Sequence, residues 1–161
     1  MALGFSPEEL RRMYQGGRGN ETARRFARAW ARVFRLGVAP KRWVTLEVRG
    51  RTSGRITRFP LGMADVGGDW YLVSMLGECN WVRNVRAAGG QATLARFRRR
   101  PVHLVEVPVE ERPPILKRYL QKVPGGRPHV PVDKDAPVSD FARVAADYPV
   151  FRVEDPVTLT T

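Results

Sequence analysis

The sequence has few of the residues that build disulfide, metal or membrane-spanning proteins. Among its 161 residues Cys79 is the only cysteine, so no internal disulfide can form and a reducing, cytoplasmic setting is expected. The two histidines, His103 and His129, lie far apart and show no acidic-ligand pattern, so no metal site is predicted. No stretch approaches the roughly 18 to 20 apolar residues of a transmembrane helix, and the start, MALGFSPEELRR, is not an export signal.

Lysine is scarce as well, yet the chain is strongly basic because arginine is abundant. Of 28 cationic residues only four are lysine, against 16 acidic residues, and the formal net charge is +12. The guanidinium group is a planar fork that matches phosphate and carboxylate oxygens, so this composition favours an anionic partner. A basic surface with no specific partner gives the same composition. Composition alone therefore does not distinguish such a surface from a site for an anionic partner.

The length of the chain and its 43% hydrophobic content predict one domain over residues 1–161. Hydrophobic periodicity predicts a helical N-terminal segment at 1–37 and a β-rich core at 43–156. The predicted helices cover 6–15, 20–36, 80–88, 110–123 and 138–147, and the predicted strands cover 43–49, 55–64, 70–75, 91–97, 101–109 and 150–154. A proline-rich segment at 124–137 is predicted to be an irregular loop. With about six strands and no β-α-β repeat, the predicted fold is mainly β with peripheral helices (α+β), a small, mostly antiparallel barrel with helices outside.

The first candidate site is the turn GRTSG between the first two predicted strands. Its glycines let backbone N–H groups approach a ligand, its hydroxyls add donors, and its arginines add charge-assisted bonds to phosphate oxygens. These residues are Gly50, Arg51, Thr52, Ser53, Gly54 and Arg55. An ordinary solvated hairpin has a similar composition, so the turn by itself indicates an anion cradle without proving one.

The second candidate site is the segment Ser74–Gly90, where a strand ends and a helix follows that is predicted to be capped by Asn80. A helix N-terminus attracts anions through its unpaired N–H groups and its dipole. Trp81 and Asn84 share one face of this helix and Arg83 lies on another, so a flat aromatic ligand with an anionic tail fits the pattern. The alternative is that Trp81 anchors the helix to the barrel core.

Together the two motifs resemble the split β-barrel oxidoreductases that use the deazaflavin coenzyme F420, and within them the deazaflavin-dependent nitroreductases. The segment GRTSGRITRFPL is similar to the family's Gly-Arg-x-Ser/Thr-Gly-x-x-x-x-x-Pro-Leu hairpin, in which Pro60 is the proline. Trp81 with Asn84 matches the family's Trp-x-x-Asn helix start. The order of elements and the closing YPVFRVEDP extend the resemblance from about Trp43 to Pro156.

The resemblance implies a split barrel of the FMN-binding type with a cofactor groove on its surface. Near the phosphodiester and acidic tail of F420 it places Arg51, Ser53 and Arg55. The helix that carries Trp81 and Asn84 is expected to border the groove. The full predicted cofactor-binding set is Gly50, Arg51, Thr52, Ser53, Gly54, Arg55, Pro60, Ser74, Met75, Trp81, Arg83 and Asn84.

The implied reaction is the transfer of a hydride from reduced F420 to a small electron-poor acceptor, such as a quinone, an enone or a nitroaromatic. Ser74, at a strand end beside the groove, and Tyr148 are the predicted catalytic residues, which orient or protonate the acceptor. Met75 stands where the nitroreductases commonly have lysine, and Arg83 or Arg86 is expected to supply that charge.

Two other functions remain open. The same barrel carries FMN enzymes, so an FMN-dependent reductase is the nearest alternative. The other is a noncatalytic basic module, in which the amphipathic helix at residues 20–36 and the arginine surface dock on nucleic acid or on an anionic membrane at its inner face. We favour instead that the apolar face of this helix covers the barrel. Nucleic-acid binding is not predicted, because the arginines are not interleaved with aromatic residues and no recognition motif is present. Related barrels often dimerise, so the resemblance also favours a homodimer.

Overall fold

The chain folds around a closed barrel of six antiparallel strands, in the order β1-β2-β3-β6-β5-β4. The computed structural model describes residues 24, 25, 28–30, 32 and 41–156. The elements are β1 (Trp43–Arg49), β2 (Ile56–Val66), β3 (Asp69–Val73), α1 (Asn80–Ala87), β4 (Gln91–Ala95), β5 (Arg99–Glu106), α2 (Arg112–Lys122), α3 (Val138–Ala142) and β6 (Val150–Glu154). The predicted fold class, an antiparallel barrel with peripheral helices, is confirmed.

The predicted N-terminal helices fall mostly outside the described residues. The helix predicted at residues 6–15 lies entirely outside them. Within the helix predicted at 20–36, the described positions are helical.

Most boundaries in the barrel follow the sequence pattern, and β1 and β6 have the predicted ends. The prediction of one helix over 138–147 is wrong, because α3 is short and a 3-10 turn at Ala145–Asp147 follows it. The proline-rich segment is more regular than predicted, since Pro124–His129 forms a 3-10 helix. Short 3-10 turns need few consecutive N–H donors, which is how prolines are accommodated there.

The interior of the barrel is filled by side chains from the strands and from α1. In β1, Val44, Leu46 and Val48 point inward because successive strand residues face opposite sides of a sheet. The buried face of α1 contributes Trp81 and Val85 to the same cluster. Hydrophobic burial therefore holds α1 against the barrel, and this packing also sets the position of the outward-facing residues of the helix.

A second apolar cluster lies on the outside of the barrel, where α2 and α3 cover part of the sheet. Ala64 of β2 and Val73 of β3 pack there with Leu116 and Leu120 of α2. Phe141 of α3 is fully buried in the same cluster. This side of the barrel is thus closed by helices, and it leaves the β1–β2 turn and α1 at another part of the surface.

An ion-pair cluster at Asp65 joins β2 to α2 and to the residue before β1. The Asp65 carboxylate accepts hydrogen bonds from Arg118 Nη2 at 2.9 Å and from Arg42 Nη2 at 3.1 Å. The hydrogen bond from Arg118, assisted by Arg42 and opposed by burial, lowers the pKa of Asp65 from 3.8 to about 2. The side chains of Asp65 and Arg118 are each 35% exposed, so solvent screening weakens the stabilisation.

The Asp65 cluster predicts an acid-dependent loss of stability. Because the folded pKa lies below the unfolded value, the ion pairs stabilise the fold above the unfolded pKa, and this contribution is lost as the pH falls from 3.8 towards about 2. Asp65→Asn is expected to lower the free energy of unfolding by about 1 kcal/mol near neutral pH, after allowance for screening. Urea denaturation of both proteins at neutral pH and near the folded pKa measures this, and a difference that stays constant would contradict it.

Candidate functional site

The β1–β2 turn is tight and is shaped by its two glycines. The Gly50 N–H donates to the carbonyl of Arg55 at 2.7 Å, and the Gly54 N–H donates to the carbonyl of Gly50 at 2.9 Å. Gly54 has a φ of +69°, a conformation that side chains disfavour. A Cβ atom on Gly50 would lie 3.0 Å from Ser53 Oγ, so only glycine fits without a shift. We call residues 50–55 the hairpin tip.

The hairpin tip docks on α1 through a single buried amide. Asn84 Oδ1 accepts hydrogen bonds from the backbone N–H of Arg51 at 3.2 Å and from Arg51 Nη1 at 2.7 Å. Arg51 Nη2 also donates to Asn80 Oδ1 at 3.5 Å. The Asn84 side chain donates in turn to Thr57 Oγ1 at 3.4 Å, and Asn84 is only 3% exposed. The position of the tip is therefore set by the helix.

The docked tip presents an array of exposed donors next to the outer face of α1. The exposed residues of this array are Arg51, Thr52, Ser53, Gly54, Arg55 and Arg83. A guanidinium carries five N–H donors, and Arg51 commits two of them to the asparagines. Three donors on Arg51 are left for a ligand. Cations and hydroxyls grouped in this way suit phosphate and carboxylate oxygens.

The ring of Trp81 is part of the barrel core, whereas the helix that carries it has an exposed outer face. Trp81 is 5% exposed, and its ring centroid lies 5.7 Å from that of Phe151. The start of α1 differs from the prediction. Cys79 is the N-cap and is buried, whereas Asn80 is the first helical residue and its amide oxygen faces Arg51. The alternative reading of Trp81, an anchor for the helix, agrees with the structure.

Ser74 lies where β3 ends, but its side chain faces the protein rather than a groove. Ser74 is 1% exposed, and its Oγ donates to the carbonyl of Gly77 at 2.6 Å. Gly77 has a φ of +69°, and a Cβ atom there would lie 3.0 Å from the carbonyl of Asp147. The loop between β3 and α1 is thus packed on the segment before β6. Met75 in this loop is half-buried against the outer cluster.

Tyr148 and Pro60 are also placed by backbone contacts. The Tyr148 hydroxyl donates to the carbonyl of His129 at 2.8 Å, which ties the proline-rich segment to the segment before β6. Burial, with a smaller effect from the charge of Asp147, raises the pKa of Tyr148, so the phenol stays protonated at neutral pH. Pro60 is half-buried in β2 opposite Thr45.

Sequence reasoning missed an arginine network that connects α1 to α2. Arg86 pairs with Glu78 at 2.6 Å and with Glu106 at 2.7 Å. Glu106 also pairs with Arg112, which is 6% exposed and donates to the carbonyls of Val107 at 2.9 Å and Ala145 at 3.1 Å. A cation in the first turn opposes the helix dipole, so the position of Arg112 was a signal for such partners.

Two other classes of site are not found in the described part of the chain. No group of three or more His, Cys, Asp or Glu side chains that could hold a metal ion occurs there. None of the helices described is long and apolar enough to cross a membrane.

The contact between Arg51 and Asn84 predicts a measurable effect on stability and on the tip. Asn84→Leu keeps the branched skeleton of the side chain but removes the acceptor for both Arg51 bonds, and it is expected to cost about 1 to 3 kcal/mol of unfolding free energy. The Arg51 amide should then exchange hydrogen faster. Arg83→Ala, on the exposed face of the same helix, is the control and should change stability by less than about 0.5 kcal/mol. Equal stability of the two variants would contradict the docking role.

Comparison with known proteins gives one family and several similar folds. The family model for F420H2-dependent quinone reductase matches residues 20–139. No curated protein sequence matches the chain. A solved structure described as a domain-swapped dimer is 20% identical, with a TM-score of 0.51 over 83% of this chain and 96% of that one. A conserved hypothetical protein from Mycobacterium tuberculosis is 14% identical, with a TM-score of 0.50 over 75% and 77% of the two chains. An F420-H2 dependent reductase (FDR-A) is 22% identical, with a TM-score of 0.47 over 71% and 95%.

Proposed function

The chain belongs to the F420H2-dependent quinone reductase family, and from that premise we propose that its hairpin tip and α1 bind the anionic part of the coenzyme. Family membership confirms the predicted cofactor, F420, and the predicted class, an oxidoreductase. FMN is a secondary alternative on the same barrel. The roles of individual residues go beyond what the family description states.

The single observation that carries the proposal is that the hairpin tip, held against α1, has exposed hydrogen-bond donors that can contact a ligand. F420 has a phosphodiester and glutamate carboxylates, so a site for it has to offer several cationic or N–H donors within a short span. Arg55 and Ser53 lie on the tip, and Arg83 lies on the helix against which the tip is held. The donor chemistry of these residues fits the ligand.

We assign two kinds of role to the predicted cofactor residues. Direct contact belongs to the exposed members, Arg51, Thr52, Ser53, Arg55 and Arg83, with Gly50 and Gly54 keeping the turn tight. A positioning role belongs to the buried or half-buried members, Pro60, Ser74, Met75, Trp81 and Asn84. Ser74 contacts a backbone carbonyl, Trp81 contacts the core and Asn84 contacts Arg51. We propose that these side chains affect a ligand only by positioning the groups that they contact.

When bound, the reduced deazaflavin supplies a hydride, and the protein supplies orientation and a protected site. We propose a quinone as the acceptor, because the family is described by that reaction. Enones and nitroaromatics have the same electron-poor character and are the alternatives. Ser74 and Tyr148 would have positioning roles, since the hydroxyl of each donates a hydrogen bond to a backbone carbonyl.

We further propose that residues 1–161 form one domain and that the protein is a homodimer in the cytoplasm. The dimer is supported by the structural relative that is described as a domain-swapped dimer. The helix predicted at 20–36 is proposed to cover the barrel, with docking on the inner face of a membrane as its alternative.

Loss of one exposed arginine from the tip is expected to weaken cofactor binding. Arg55→Ala should raise the Kd for F420 by about 10- to 150-fold, because a charge-assisted hydrogen bond contributes about 1.5 to 3 kcal/mol. Fluorescence titration of the purified protein with F420, and in parallel with FMN, measures this. Arg51→Ala should lose at least as much affinity, since it removes the docking contact as well.

The matched control for the arginine variants is Arg143→Ala, an exposed arginine after α3 and outside the tip. The Arg143→Ala variant should bind F420 with the same affinity as the unaltered protein. If Arg55→Ala and Arg143→Ala bind F420 alike, the tip is not the anion site. If only FMN binds, the tip proposal survives with a different cofactor.

A second prediction separates a positioning role for Ser74 from a catalytic one. Ser74→Ala removes a buried hydrogen bond, so we expect a loss of about 1 kcal/mol of stability and a weaker affinity for F420. The rate of quinone reduction at saturating cofactor should change less than about threefold. Ser139→Ala, an exposed serine on α3, is the control. A hundredfold loss of kcat with unchanged stability and affinity would instead make Ser74 a catalytic residue.

A further inference from the structure

The turn between β4 and β5 is the most exposed apolar feature among the described residues that sequence and family leave without a role. We call residues 96–100, with the sequence RFRRR, the arginine tip. Phe97 is 77% exposed, more than any other large apolar side chain in the described part of the chain. The backbone bends at residues 96–98, where the Arg96 N–H donates to the carbonyl of Arg98 at 3.2 Å.

The cations around Phe97 are only partly balanced by acidic groups. Arg99 pairs with Glu47, and Arg100 pairs with Asp155 at 2.9 Å. Their side chains are nevertheless 61% and 62% exposed. Arg98 is exposed and has no ion-pair partner among the residues that the structure describes. The tip therefore combines one solvent-exposed aromatic ring with several arginine donors that face water.

Strand register places the arginine tip away from the hairpin tip. In the β1–β4 pairing Thr45 lies opposite Ala95, so the β4–β5 turn extends beyond the beginning of β1. The hairpin tip follows the end of β1, where Arg49 pairs with Ile56. The two turns leave the barrel at opposite ends of β1. A surface bound by one turn therefore leaves the other accessible.

We propose that the arginine tip docks the protein on an anionic phospholipid surface, with the Phe97 ring in the headgroup region and Arg98, Arg99 and Arg100 on lipid phosphates. Aromatic rings flanked by polar groups are stabilised at the membrane interface, and long basic side chains keep their charge in the headgroups while their stems lie along apolar surface. Each arginine near an anionic surface adds attraction, which salt screens. A convex turn with one protruding ring matches a soft lipid interface.

Nucleic acid is the less suitable anionic partner. Binding of single strands relies on several aromatic rings that stack successive bases along a groove, and the arginine tip has one ring on a convex turn. The docking proposal does not depend on the identity of the acceptor or on the residues that bind F420.

Vesicle co-sedimentation of the 161-residue chain tests the proposal. The probes are vesicles of phosphatidylcholine alone and of phosphatidylcholine mixed with phosphatidylglycerol. We expect binding to the anionic vesicles, little binding to the neutral ones, and release by added salt. Phe97→Ser should lower the vesicle partition coefficient about tenfold, and Arg98→Ala should lower it about fivefold.

Two exposed residues elsewhere provide matched controls. Val138→Ser removes another exposed apolar side chain, and Arg143→Ala removes another exposed arginine, and neither should change vesicle binding. Affinity for F420 should be the same in Phe97→Ser and in the unaltered protein, which also shows that the variant is folded. The proposal is overturned if anionic vesicles do not bind, if Phe97→Ser and Arg98→Ala bind like the controls, or if the chain binds duplex or single-stranded DNA in place of vesicles.

Discussion

The hydrogen bonds from Arg51 to Asn84 are the contact on which the site depends. A turn of six residues at the end of a hairpin has few contacts of its own, and its conformation in water would vary. Here the buried amide of Asn84 receives two donors from Arg51, so the turn takes its position from α1. The helix is in turn held by Trp81 and Val85 in the core. The barrel interior therefore holds the exposed donors in place through α1. Less conformational entropy is lost when a ligand binds to donors that are already ordered.

The arginines form two groups, which differ in whether a carboxylate lies within reach. Acidic residues hold many of the arginines near the barrel wall, as Asp65 does with Arg42 and Arg118, and as Glu106 does with Arg86 and Arg112. These pairs connect strands to helices and serve the fold. Other arginines, such as Arg51, Arg55 and Arg98, have no carboxylate partner among the described residues and face solvent on turns. Net charge alone would not have separated these two populations, because the separation depends on which carboxylates lie within reach.

Much of the barrel could be predicted from the sequence because strand periodicity is a local property. The alternation in Trp43–Arg49 and the turn glycines of the hairpin tip are read directly from neighbouring residues. The parts that the sequence pattern leaves open depend on distant partners. Burial of Trp81 requires Phe151, and the orientation of Ser74 is set by the carbonyl of Gly77 in a loop packed on Asp147. A residue type and its spacing indicate a site, whereas exposure decides whether that residue can touch a ligand.

Closure of the barrel has a consequence for how this protein meets other chains. In an open sheet the outermost strand carries unpaired N–H and C=O groups, and it can add a strand from another molecule. Here β1 pairs with both β2 and β4, and each of the other five described strands likewise has two neighbours, so none of these six strands is outermost. Addition of a strand from another molecule is therefore less favourable than in an open sheet while the barrel is intact. Side chains and turns are thus the more accessible surfaces for recognition, and opening of the barrel would favour growth into cross-β aggregates.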